Sequence, residues 1–118
     1  MQCDNTRIVG IAWYERKEYA AARGVMQDAY LLPIEYEAWL RTAELVVLLE
    51  EAKGSTVIRA PIRPAAFAAW CAATGQLPDL RARTRHVNLA IDDHCAALRA
   101  IGVFEEVEDP GVEERESA

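Results

Sequence analysis

The stretch from Ser55 to Gly75, STVIRAPIRPAAFAAWCAATG, does most to limit what this chain can fold into. Thr56 to Ile62 is rich in β-branched residues, with Val57, Ile58 and Ile62, and reads as a strand. Pro61 cannot donate to a ladder, so it places the end of that strand at a sheet edge or margin. Pro64 suits the first turn of a helix, where a missing N–H costs nothing. Phe67, Trp70, Cys71 and Thr74 follow at helical spacing, and Gly75 suits the position just past a helix end. One strand and one helix cannot bury their apolar faces alone, so the rest of the chain must supply a second strand and more helices.

The second strand is read at Thr6 to Trp13, where Ile8, Val9 and Ile11 surround Gly10. A glycine inside a strand marks a bulge or the close approach of another backbone. Tyr14 to Ala29 reads as a helix with Tyr19, Ala22, Met26 and Ala29 along one side, weakened by Gly24 and ended at Leu31-Leu32-Pro33. Glu35 to Lys53 is a stronger helical pattern, with Tyr36, Trp39, Leu40, Ala43, Val46, Val47 and Glu50 at steps of three and four. The run Leu45 to Leu49 is apolar all round, which predicts burial on more than one side. Asp79 is a plausible N-cap for a long helix whose apolar seam runs Leu80, Thr84, Val87, Ile91, His94, Leu98, Ile101.

The predicted fold is therefore α+β and mainly helical: strand, helix, helix, strand, helix, helix. Its two strands are expected to pair antiparallel in a small two-stranded sheet. Trp39, Leu40, Ala43, Val47, Phe67, Trp70, Val87 and Ile91 are expected to be buried together. With 118 residues the chain fits one domain, placed at 1–104. Residues 105–118 carry seven acidic side chains and one basic, and read as a disordered acidic tail that folding does not need.

Charge is unevenly spread. The net charge is −6 in total, but residues 1–52 carry −4, residues 53–101 carry +4 and residues 102–118 carry −6. No run of about eighteen apolar residues exists to span a membrane. The N-terminus lacks the basic start and apolar run of a secretory signal. Cys3, Cys71 and Cys95 are widely spaced and odd in number, which fits reduced thiols in a cytoplasmic protein.

Motifs for chemistry are missing. No CxxC, HxxxH, GxSxG, GxGxxG or GxxxxGK pattern occurs, so neither cofactor nor metal is expected. His86, Asp92, Asp93, His94 and Cys95 hold ligand-type atoms, but at spacings that do not converge on one helix face; His94 reads as a core histidine. Cys71 sits on the buried side of its helix, where a cysteine acts as a small apolar residue. Trp13, Trp39, Trp70 and the four tyrosines are spaced for helix packing more than for a ligand pocket.

The constellation that remains is basic. Arg81, Arg83 and Arg85 lie in the first turns of the long helix, with Arg59 on the second strand and Arg63 just after it. At 100° per residue Arg81 and Arg85 are neighbours, whereas Arg83 points away. If the helix packs beside the strand, these five offer an anion- or nucleic-acid-binding face. The competing account is a solvated surface with ion pairs to the acidic half.

The pattern IAWY, Tyr19, Arg23, Met26, LPxxYxxWLxxAE from Leu32 to Glu44, and VIRAPIRPAAFAAWC resembles a group of small uncharacterised bacterial proteins, a resemblance that implies no activity. Thr56–Ile91, a strand followed by two helices, also resembles a ribbon-helix-helix unit. That family inserts strands of a dimer into the DNA major groove, which implies that Thr56, Ile58 and Ala60, or Val57, Arg59 and Pro61, face DNA.

Three readings follow. The first is a non-enzymatic cytoplasmic protein-interaction or regulatory protein, for instance an inhibitor of a nucleic-acid machine, with a protein partner or a second copy of itself. The second is nucleic-acid binding through the arginine set. The third is an enzyme of unrecognised type.

Overall fold

A computed structural model describes residues 7–101. The expected tail and the domain end at residue 104 lie outside the described residues. Strand β1 (Ile8–Trp13) leads through a 3-10 turn at Arg16–Glu18 into helix α1 (Tyr19–Val25). A second 3-10 turn at Ala29–Leu31 precedes helix α2 (Tyr36–Ala52). Strand β2 (Thr56–Pro61), helix α3 (Pro64–Ala73) and helix α4 (Leu80–Ala100) complete the order.

The two strands pair as expected, but they run parallel, not antiparallel, with Ile8 opposite Thr56 and Trp13 opposite Pro61. The reason lies in the connection. The pattern over Tyr14–Ala29 forms only a seven-residue α1 between two 3-10 turns. Met26 leaves the helix with an extended backbone (φ −83°, ψ 134°). The loop after it is held by side chains: Tyr19 Oη donates to Pro33 O, and Arg23 Nη2 donates to Ala29 O at 3.1 Å. A single full-length helix, α2, therefore returns the chain along the sheet. One such crossing brings β2 back to the starting end of β1, and a helical crossover of that kind joins parallel strands.

Local expectations for the punctuating residues hold. Pro64 opens α3. Asp79 caps α4, its carboxylate accepting from Ala82 N at 3.1 Å. Gly54 and Gly75 follow α2 and α3 with φ of +90° and +70°, a region open to glycine. Gly10 is a point of close approach: α4 crosses β1 there, and a Cβ would overlap Val87 Cγ1 and come within 3.0 Å of Ile91 Cδ1.

The expected single core is two clusters. The larger gathers Tyr14, Tyr19, Met26, Trp39, Ala43, Ile62, Phe67 and Cys71, with Leu40 and Trp70 at its margin. The smaller lies between α4 and the sheet and contains Ile8, Ala60, Val87, Ile91 and Cys95. The buried stripe of α4 is Arg83, Val87, Ile91 and Cys95, four apart each time, rotated from the expected seam. Leu80 and Ile101 are exposed and His94 is only half-buried. Cys71 is a buried free thiol, its pKa pushed up by burial, while Cys95 is disulfide-bonded, which corrects the reading of three reduced thiols.

Candidate functional site

The five arginines do not converge. Arg83 points inward, as its helical phase requires, and is 5% exposed. It meets Asp28, 7% exposed, in a two-point ion pair: Nη1 donates to Oδ1 at 2.7 Å and Nη2 to Oδ2 at 3.3 Å. Leu80 N also donates to Asp28 Oδ2 at 2.8 Å. Burial works against ionisation of Asp28, but the hydrogen bonds from Arg83 and Leu80 outweigh it and hold the carboxyl below the usual carboxylate range. The pair joins the loop after α1 to the start of α4, so Arg83 belongs to the scaffold.

Arg59 lies with its guanidinium 4.8 Å from the ring centre of Trp13. Arg63 stands 3.7 Å from Glu18 Oε2. Arg81 and Arg85 are exposed neighbours on α4. They line a shallow depression of about 670 Å³ with Asp79, Thr84 and the ring of Tyr30, which is 82% exposed. His86 is a structural residue: its Nε2–H donates to Pro61 O at 2.9 Å, and its ring meets Phe67 and Trp70 edge-on. Among the described residues no cluster of three His, Cys, Asp or Glu is arranged to hold a metal. No described helix is long and apolar enough to cross a membrane.

Tyr14 is sealed among Tyr19 and Trp39, with ring centres 5.6 and 5.1 Å away. Among the described residues its hydroxyl has no hydrogen-bond partner, and burial pushes its pKa up to about 12. At 2% exposure within the main core cluster, Tyr14 is a packing residue.

Two surfaces emerge that the residue pattern did not single out. The first is the outer face of α2. Trp39, Ala43 and Val47 are buried, so the opposite side of the helix faces outward. There Leu45, Leu48 and Leu49 are 54%, 65% and 54% exposed, contrary to the expected burial of this run on more than one side. The sheet is only two strands wide, and among the described residues no element covers the second face of α2. Glu37, Glu44 and Glu51 recur every seven residues along one flank of this apolar face. The exposed run carries the sequence signal of a helix with two apolar faces, which was legible but was assigned to the interior.

The second surface is a groove of about 450 Å³ between β1 and α4, lined by Ile8, Gly10 and Ala12 on one side and Leu80, Thr84 and Asn88 on the other. No family model, curated protein or solved structure matches the chain.

Proposed function

We propose that this protein acts by binding another protein, through the outward apolar face of α2, and not by catalysis. The observation that carries this reading is the run Leu45, Leu48, Leu49, half or more exposed on successive turns of a helix otherwise well packed. Three leucines held on one rigid helix present apolar area that association removes from water, at about 25 cal/mol per Å². The glutamates at 37, 44 and 51 border it and favour a partner with basic residues along its rim. A regulatory role, such as blocking a nucleic-acid machine, fits a small protein of this kind.

The test places a photo-crosslinking amino acid at position 48 of the full chain and identifies what it captures. The expected product is a defined heterologous protein whose purified form binds the native chain. Leu48→Lys should weaken that binding at least about tenfold while leaving the melting temperature unchanged. Capture of only a second copy would make this face a homodimer interface. No product, together with unaltered behaviour of Leu48→Lys, would remove the reading.

Nucleic-acid binding stays as the second reading because Arg81 and Arg85 lie side by side next to the exposed ring of Tyr30, an arrangement suited to phosphate and base stacking. Retention on DNA or RNA that falls steeply with salt, and falls further in Arg81→Ala/Arg85→Ala, is its signature.

A further inference from the structure

The two edges of the sheet are not alike. In the parallel ladder Thr56 N bonds Arg7 O at 2.9 Å and Ile62 N bonds Trp13 O at 2.8 Å. The odd-numbered residues of β1 therefore direct their backbone groups at β2. The N–H and C=O groups of Ile8, Gly10 and Ala12 point the other way, and no strand among the described residues pairs with them, while Arg7, just before β1, lies in a bridge outside the β1–β2 register. On the outer edge of β2 the same alternation presents Val57, Arg59 and Pro61. A charged residue and a proline without an N–H guard that edge against further pairing. Nothing comparable guards β1, whose six residues IVGIAW contain neither charge nor proline.

The unguarded edge opens onto the groove beside α4. Leu80, Thr84 and Asn88 are exposed and four residues apart, so one stripe of α4 forms a wall along it. Gly10 permits this arrangement, because only a residue without Cβ lets α4 lie so close over β1. The result is a slot with a row of backbone donors and acceptors on one side and a helix face on the other.

We infer that this slot binds an extended segment of a partner protein, which adds to β1 as a third strand. Backbone hydrogen bonds to Ile8, Gly10 and Ala12 supply the affinity, and alternate side chains of the incoming segment pack on Leu80, Thr84 and Asn88. The groove contains no acidic side chain; its charged members are Arg7, at one end and 3.8 Å from Glu50 Oε1, and Arg83, engaged by Asp28. A segment with apolar residues at alternate positions and no lysine or arginine fits it. An antiparallel pairing of two β1 strands is the competing occupant. It would set two α4 helices side by side on the same face of the joined sheet, and the mass measurement below separates this occupant from a peptide. This site is separate from the α2 face and does not depend on it.

The experiment selects peptides of about ten residues, the length of a strand with its flanks, from a displayed library against the full chain. Selected peptides should show period-two apolar patterning. Their synthetic versions should lose on the order of a hundredfold in affinity when alternate backbone nitrogens are methylated in one phase, and little in the other, because only one phase faces β1. Thr84→Trp, at an exposed position, fills the slot and should abolish binding; Leu48→Lys should not affect it. Amide exchange at Gly10 and Ala12 should be fast in the free chain and slow with peptide bound. Four results would overturn the inference. They are a library that yields no binder, binders indifferent to methylation phase and to Thr84→Trp, slow Gly10 exchange already present in the free monomer, and a β1-dependent doubling of mass in place of peptide binding.

Discussion

Helix α2 has two apolar faces, and the fold uses one of them. Trp39, Ala43 and Val47 turn inward, where the Trp39 ring meets Trp13 and Tyr14 at 5.1 Å and Tyr36 at 5.5 Å. Leu45, Leu48 and Leu49 are as apolar, lie on the same helix and remain in contact with water. The difference is geometric. A two-stranded sheet offers α2 one side to rest on, and the neighbouring helices pack elsewhere. Apolar character therefore marks what can be covered, while the supply of covering elements decides what is covered.

Substitutions on the two sides should separate cleanly. Trp39→Ala opens a cavity among four aromatic rings and should cost about 3–5 kcal/mol in denaturant unfolding. A cost under about 1 kcal/mol would mean that the inward face is no better packed than the outward one.

Asp28→Ala belongs to the same sealed side and should cost about 3–5 kcal/mol, because it leaves the Arg83 guanidinium buried and unpaired. Arg81→Ala, two residues along α4 and exposed, should change stability by less than about 0.5 kcal/mol. The pair also sets an acid limit. Asp28 has a lower pKa folded than unfolded, so its contribution is complete above the unfolded value near pH 4 and is lost as pH falls through the folded one. Stability of the native chain should fall over that acid range, and Asp28→Asn should flatten the fall. An unchanged slope in the variant would show that other carboxylates govern acid unfolding.

Gly10→Val probes the contact between the sheet and α4. A side chain there collides with Val87 and Ile91, so the variant should lose about 1–3 kcal/mol and α4 should show the larger loss of hydrogen-exchange protection. Equal stability would require α4 to lie farther from β1.

The smallest effect is expected at Leu48→Lys, within about 0.5 kcal/mol of the native chain or slightly stabilising, since a charged residue replaces an exposed leucine. A large loss there would show that the outward face is covered in solution, and would turn the comparison between the two faces into one between two interfaces.

Most of the elements were legible in the residues. The two β-branched runs, the helical repeats, Pro64 at the start of α3, Asp79 as a cap and Gly54 and Gly75 as helix ends each act through local backbone preference, so nearby sequence is enough to read them. The candidate site was read only in part. Helical phase puts Arg81 beside Arg85, which line one depression, and sets Arg83 apart, but Arg83's partner Asp28 is 55 residues away and leaves no periodic trace.

What the sequence by itself determined is the list of elements, the apolar character of both α2 faces and the need for glycine at the centre of β1. Strand direction was decided only in three dimensions, because it depends on how many helices run the length of the sheet, and the hydrogen bonds of Tyr19 and Arg23 shortened α1 to seven residues. The exposure of Leu48 and the lack of a third described strand beside β1 were decided there too. Both are set by which neighbours are in place, a property of packing that no single residue or local pattern carries.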